Sequence, residues 1–143
     1  MNFRQGLTRR RLYYFYISVV VIILGLLSRS SMITPWLPLS VGDLLYATLA
    51  YFLTSIILPA QTKFTRAVLA VLWCISVEVS QLADWGLLKY ARQTLPGRLI
   101  LGQGFLWSDF IFYGAGVISA IIVDIRMPSW IKAGFLENEG PVK

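Results

Sequence analysis

The sequence contains no histidine, only one cysteine and few charged side chains. Without histidine, the chain lacks the commonest general base and metal ligand, and it cannot form a Ser-His or Cys-His triad. The lone Cys74 has no second cysteine in the chain with which to form a disulfide. Charged residues make up 14% of the 143 residues and hydrophobic residues 57%, whereas an average soluble domain is about a quarter charged. These deficits argue against a soluble enzyme and favour a membrane protein.

Four apolar runs account for the excess of hydrophobic residues. Each holds roughly 16–20 residues, at the short end of what crosses a ~30 Å hydrocarbon core at 1.5 Å per residue. The sequence therefore predicts an all-α fold, an integral membrane four-helix bundle. Arginines precede the first run as in a secretory signal, but no small-x-small cleavage site follows, so we expect an uncleaved helix. The predicted helices are residues 12–28, 43–59, 67–82 and 106–125, within a transmembrane domain of residues 1–126 followed by a polar cytoplasmic tail of residues 127–143.

The distribution of lysine and arginine predicts that both termini are cytoplasmic. With the N-terminus inside, nine cations fall on the inner side and four on the outer side, which fits the positive-inside rule. The net charge of +6 is then explained by the cations that orient the protein in the membrane. No module of aromatic and basic residues indicates nucleic-acid binding. The long outer segment 83–105 is apolar enough to lie in the interface or to re-enter the bundle. The inner cations are Arg4, Arg9, Arg10, Arg11, Lys63, Arg66, Arg126, Lys132 and Lys143; the outer ones are Arg29, Lys89, Arg92 and Arg98.

This topology gathers polar side chains from all four helices near the outer face of the membrane. Asp43 and Asp109 open the second and fourth helices there, and Glu78 ends the third. Gln81 lies three residues after Glu78, so the two share a helix face. The predicted ligand-binding residues are Arg29, Asp43, Glu78, Gln81, Arg98, Gln103 and Asp109.

Each of these acids also has a structural explanation. A carboxylate at a helix N-terminus caps free amides and meets the positive end of the dipole, and this would suffice for either aspartate alone. Glu78 lies near a helix C-terminus in an apolar run, so it marks a functional polar site or an ion pair with Arg29 or Arg98. Asp124 beside Arg126 predicts a solvated pair at the inner surface. No spacing of acids demands Mg²⁺ or Ca²⁺, so we predict no metal or cofactor.

Four motifs resemble a known family. They are Gly25-Leu-Leu-Ser-Arg29, Gly42-Asp43, Val77-Glu78-Val-Ser-Gln81-Leu82 and Arg98-Leu-Ile-Leu-Gly-Gln-Gly-Phe-Leu-Trp-Ser-Asp109. Together they resemble the bacterial membrane-protein family called domain of unknown function 2809, over residues 12–125. The order of the acids, Gln81 and Arg98 is distantly similar to the VanZ-like family, although Tyr113 stands where that family has asparagine. This second resemblance implies a protein of the bacterial inner membrane that works at the cell envelope.

Four functional hypotheses follow. The first is binding of the head group of a membrane lipid or a lipid-linked envelope precursor, with arginines on phosphate and acids on sugar or amine groups. The second is an enzyme acting on an envelope lipid, with Glu78 and either Asp43 or Asp109 as catalytic acid and base. The third is a small transporter in which Glu78 titrates; the predicted acids lie on one side only, which counts against it. The fourth is an assembly subunit, with self-association an open alternative.

Overall fold

The computed structural model describes residues 3–29, 40–82 and 107–128, together with residues 86, 90, 91, 93, 94 and 97. Within these residues it delimits four helices: α1 (Phe3–Ser28), α2 (Ser40–Ile57), α3 (Lys63–Leu82) and α4 (Asp109–Ile125). No strand occurs in this part of the chain. The all-α, four-helix prediction is therefore confirmed. The largest difference in bounds is at α1, which begins at Phe3 and so includes the arginines that precede the first apolar run.

Three of the helices are long and apolar enough to cross a membrane, over Gln5–Ser28, Ser40–Ile57 and Lys63–Leu82. The 17 residues of α4 span about 26 Å at 1.5 Å per residue, close to the thickness of a hydrocarbon core. Large apolar side chains such as Ile23, Leu27, Ile111 and Ile118 are exposed around the outside of the bundle. An apolar exterior of this kind suits lipid tails better than water, so the structure supports a membrane protein.

The central helix of the bundle is α2, which packs against the other three described helices, while α3 also packs on α4. Two of the helices, α2 and α4, approach each other closely, since a Cβ added to Gly116 would lie 2.2 Å from the carbonyl oxygen of Leu44. The hydroxyl of Thr48 lies 2.9 Å from the carbonyl oxygens of both Leu44 and Gly116 and so bridges the two helices. Small residues at a contact let helix backbones approach closely, as is usual in membrane bundles.

The most peripheral of the described helices is α1. Its backbone approaches that of α2 alone among them, and most of its large apolar side chains are exposed. Near its start, however, α1 is held by polar contacts, since Arg10 donates a hydrogen bond to the carbonyl oxygen of Pro59 at 3.3 Å. Tyr14 is buried against Phe52 of α2. The first helix is therefore held by polar and aromatic contacts near its N-terminal end.

Candidate functional site

Three carboxylates, those of Asp43, Glu78 and Asp109, come together at one end of the bundle, which we call the acidic end. Asp43 lies in the first turn of α2, Asp109 is the first residue of α4, and Glu78 lies near the end of α3. The charges of Asp109 and Glu78 both act on the carboxylate of Asp43, and the charge of Asp109 acts on Glu78. The structure thus brings together three of the residues that the sequence pattern singled out.

Glu78 is the most deeply buried of the three acids, with 1% of its surface exposed. Its Oε1 accepts a hydrogen bond from the Tyr113 hydroxyl of α4, and the Gln81 Nε2 donates to the same oxygen at 3.4 Å. Its other oxygen, Oε2, is buried and has no hydrogen-bond partner among the residues that the structure describes; the same holds for Oε1 of Gln81. Leaving a buried polar group unsatisfied costs roughly 1–3 kcal/mol, so both atoms are acceptors suited to a donor.

The two aspartates are more than helix caps. Asp109 is buried and accepts a hydrogen bond from the Ser108 hydroxyl at 3.2 Å. Ser108 occupies the N-cap position of α4, and its side chain makes no capping bond. Asp43 is half-buried, and α2 begins before it, at Ser40. Both carboxylates lie in a first turn, where the helix dipole favours negative charge, yet their proximity to buried Glu78 is not needed for capping.

A guanidinium group stands beside the acids. Arg29 follows α1, is exposed, and its positive charge acts on Asp43. Its side chain lies over Gly42 of α2, since a Cβ at Gly42 would be in van der Waals contact with the Arg29 Nε, at 3.4 Å. Among the described residues, the acidic end therefore joins three carboxylates to one guanidinium. Arg98 and Gln103, the other two predicted ligand-binding residues, lie outside the described residues, as does most of segment 83–105.

A second buried polar cluster, at the opposite end of the bundle, was missed by the sequence interpretation. The Arg66 Nη2 and Asp124 Oδ2 form an ion pair of 3.1 Å, with 3% and 1% of the side chains exposed. Tyr14 donates to Asp124 Oδ1 at 2.9 Å, and Tyr51 donates to Oδ2 at 2.8 Å. The Arg66 Nη1 also donates to the Tyr14 hydroxyl at 2.7 Å. These four residues, which we call the Arg66 cluster, join all four helices.

Two expectations are corrected by this cluster. Asp124 does not form a solvated pair with Arg126, because it is buried and its partner is Arg66. Arg66, which the sequence analysis counted among the inner cations, is buried inside the bundle. Buried acids thus occur at both ends of the bundle, and the one-sided placement that counted against transport does not hold.

The sequence did carry a signal for the Arg66 cluster. Steps of four residues back from Glu78 reach Cys74, Ala70 and Arg66, all of which α3 buries. On α4 the row of such steps that ends at Asp124 passes through Gly116 and Ala120, and all three are buried. Residues four apart lie one above the other on a helix. Following each row to its end would have placed Arg66 and Asp124 inside the bundle.

The two polar clusters are separated by an apolar layer. From Arg66 to Glu78, α3 rises about 18 Å at 1.5 Å per residue. By their positions in the helices, the intervening buried side chains are Ala47, Ala70, Cys74, Val117 and Ala120. Thr48 lies at this level too, but its hydroxyl is engaged by backbone carbonyls. Among the described residues, no chain of polar side chains connects the clusters.

Neither cluster is built like a metal centre. In the part of the chain that the structure describes, no group of three or more histidine, cysteine, aspartate or glutamate residues is arranged to hold a metal ion. What the acidic end offers instead is hydrogen-bond acceptors with a cation beside them. This arrangement suits an amine, a hydroxyl or another donor group.

Comparison with known proteins identifies a family. The sequence profile of the family described as "Protein of unknown function (DUF2809)" matches residues 32–117, which is more than half of the chain. The match includes the three acids, Gln81 and Tyr113 of the acidic end. No solved structure matches the chain. The distant similarity to the VanZ-like family is not part of this match and stays a prediction.

Proposed function

We propose that this chain, which belongs to the DUF2809 family of proteins of unknown function, binds the head group of a membrane lipid or lipid-linked envelope precursor at its acidic end. One observation carries the proposal. The buried Glu78 presents an oxygen that lacks a hydrogen-bond partner among the described residues, within electrostatic range of the carboxylates of Asp43 and Asp109. A ligand that donates hydrogen bonds would relieve both the unsatisfied acceptor and the repulsion among the acids.

The charges of the site indicate which part of a lipid meets which residue. Carboxylates accept hydrogen bonds from amine and hydroxyl groups, so Glu78, Asp43 and Asp109 would contact the outer part of the head group. Arg29 would contact phosphate, for which a guanidinium group is well shaped. By sequence, Arg98 is the candidate for a second phosphate contact.

The proposed setting is the outer leaflet of a bacterial inner membrane. If the N- and C-termini are cytoplasmic, the acidic end faces outward. Burial of Arg66 removes one inner cation from the count, which leaves eight inner against four outer cations, so the positive-inside rule still favours this orientation. The site would then lie at the depth of the outer head groups.

An enzyme acting on the same lipid is the second candidate. The specific observation in its favour is that Glu78 is oriented by Tyr113 and Gln81 through one oxygen while the other stays open. A general acid or base needs such a fixed carboxyl group within hydrogen-bond reach of its substrate. Transport has less support, because the apolar layer between the two clusters offers no polar path among the described residues.

The test is native mass spectrometry of the purified protein, titrated with phosphatidylethanolamine in phosphatidylcholine nanodiscs. We expect Glu78→Gln to weaken retention of phosphatidylethanolamine about tenfold or more, as expected when a hydrogen bond to a charged group is lost. Arg98→Ala should weaken it as well. Glu137→Gln, the same chemical change in the polar tail, serves as the control and should leave retention unchanged.

Two results would separate the alternatives. Equal retention by the original protein and by all three variants would refute head-group binding at the acidic end. If the Glu78→Gln variant instead retains the lipid but no longer converts it chemically, the result supports the enzyme hypothesis over simple binding.

A further inference from the structure

An apolar groove of about 420 Å³ runs beside the acidic end, between α1 and α2, with Trp73 of α3 at its side. Val21 and Leu26 line it from α1, and Leu45 and Leu49 line it from α2. Polar groups are few along its walls. The Trp73 Nε1 donates to the Tyr46 hydroxyl at 3.0 Å, so these two side chains turn polar atoms toward each other. The groove is therefore a surface for hydrocarbon.

One end of the groove is charged. Arg29 and Gly42 lie at that end, and the Arg29 guanidinium also acts on Asp43 of the acidic end. At the other end the lining along α2 stops at Leu53. From Gly42 to Leu53, α2 rises about 16 Å at 1.5 Å per residue, roughly half of a ~30 Å hydrocarbon core. The groove thus has the length of one acyl chain in one leaflet, with a guanidinium where the phosphate of that lipid would be.

We propose that the groove binds one acyl chain of a phospholipid from the surrounding bilayer, whose phosphate contacts Arg29 and whose amine reaches the acidic end. The inference deepens the proposed function, since it names the lipid class and adds a chain site to the head-group site. Phosphatidylethanolamine fits this description, because one head group carries both a phosphate and an ammonium, and the Arg29 guanidinium lies within electrostatic range of the Asp43 carboxylate. Charge complementarity at one end and an apolar wall along the rest distinguish this occupant from a second copy of the chain.

A glycine in the groove wall allows a clean test. Gly25 lines the groove, and a Cβ placed there would meet no described atom within 4 Å. A leucine at this position would therefore begin in open space and extend into the groove. Gly114 on α4 is the matched control, because a Cβ there also meets nothing within 4 Å and the residue does not line the groove. Replacing either glycine inside a helix also removes its conformational penalty.

The measurement is quenching of Trp73 fluorescence by lipids with brominated acyl chains. Trp73 lines the groove and is 55% exposed. The full-length chain is used in a background in which the other four tryptophans, at positions 36, 85, 107 and 130, are phenylalanine. The protein is reconstituted in phosphatidylcholine vesicles that contain either brominated phosphatidylethanolamine or brominated diacylglycerol, which carries the same chains but no phosphate.

We expect brominated phosphatidylethanolamine to quench Trp73 at about a tenfold lower mole fraction than brominated diacylglycerol does. Gly25→Leu should abolish the quenching at low mole fraction, whereas Gly114→Leu should not. Arg29→Gln should remove the preference for the phosphate-bearing lipid. Arg11→Gln, which removes an exposed charge near the other end of α1, should preserve it. If the four-phenylalanine background fails to fold, native mass spectrometry of Gly25→Leu and Gly114→Leu in the original sequence counts bound phosphatidylethanolamine instead.

Several outcomes would overturn the inference. Equal quenching by the two brominated lipids means that only bulk lipid contacts Trp73. If Gly25→Leu leaves the quenching intact, the acyl chain binds outside the groove. If no lipid quenches Trp73 and the protein cross-links as a dimer, the groove is occupied by a second copy of the protein. Glu78→Gln separates this inference from the proposed function: if it leaves the preference over diacylglycerol intact and does not weaken phosphatidylethanolamine retention, the head-group site fails while the chain site stands.

Discussion

Two buried acids, Glu78 and Asp124, differ in how far the protein satisfies them. Asp124 has both oxygens engaged, by Arg66, Tyr14 and Tyr51. Glu78 has one oxygen engaged and the other open among the described residues. A fully satisfied buried carboxylate stabilises a fold, whereas a half-satisfied one costs stability that a ligand can restore. Asp124 is thus a structural residue, whereas the open oxygen of Glu78 is what supports the proposed binding role.

Removal of either partner of the buried ion pair should destabilise the bundle strongly. Asp124→Asn leaves the Arg66 charge buried without a counter-charge, and Arg66→Gln does the same to Asp124, so each should cost about 3–5 kcal/mol of unfolding free energy. Unfolding in mixed micelles with increasing sodium dodecyl sulfate measures this. Arg126→Gln is the control and should change the free energy by no more than about 0.5 kcal/mol. A large effect of Arg126→Gln would indicate that Arg126, and not Arg66, pairs with Asp124.

At this scale, the positions that helix ends suggested for three acids agree with the structure. The pair inferred from closeness in sequence does not. Asp43, Glu78 and Asp109 each lie near an end of an apolar run, so the topology alone places them at one level. Asp124 and Arg126 are two apart, and residues at that spacing do not face each other on a helix. Opposite charge and short separation in sequence therefore suggested a pair that helical geometry does not form.

At the scale of the elements, apolar runs located the helices but not their ends. An apolar run marks the part of a helix that lies among lipid tails, and a helix can continue beyond it. This explains why α1 begins at Phe3, well before the run. At the start of α3, the Thr62 hydroxyl accepts a hydrogen bond from the Thr65 backbone N–H at 3.1 Å. Such an N-cap is a sequence signal, and it would have placed the start of α3 at Lys63.

The contact between α2 and α4 should tolerate no side chain at Gly116. A Cβ there would lie 2.2 Å from the Leu44 carbonyl oxygen and 2.9 Å from the Ala47 Cβ, so Gly116→Ala must push two backbones apart. We expect a loss of about 2 kcal/mol or more, because the Thr48 bridge and the surrounding packing are strained together. Thermal unfolding in detergent, followed by size-exclusion chromatography, measures the loss.

Gly114→Ala provides the comparison on the same helix. Its Cβ would meet nothing within 4 Å, and alanine favours a helix over glycine by up to about 1 kcal/mol, so this variant should be as stable as the original protein or slightly more so. If both alanine variants behave alike, helix propensity rather than the close approach of α2 and α4 governs stability at this contact.

On the scale of the whole molecule, the bundle is an apolar body with one polar cluster toward each end. The hydrophobic excess made the class and the helix number predictable, because few other folds can satisfy backbone groups in lipid. The groove between α1 and α2 was not predictable. The groove depends on which faces of α1 and α2 do not pack against each other. The sequence does not indicate these faces, because α1 is almost uniformly apolar around its lipid-facing surface. A pattern without a preferred face does not say which side of a helix packs.

The orientation of this body in the membrane decides which leaflet the acidic end meets, and it can be measured with single cysteines. The native Cys74 is buried and should not react with a membrane-impermeant maleimide; the test uses a Cys74→Ala background. Gln93→Cys, between α3 and α4, should be labelled in intact cells, and Gln61→Cys, in the exposed turn between α2 and α3, only after lysis. We expect this labelling pattern if the side of the protein with more lysine and arginine faces the cytoplasm. The reverse pattern would place Glu78 and Arg29 in the inner leaflet, and the ligand would then be a lipid of the cytoplasmic side.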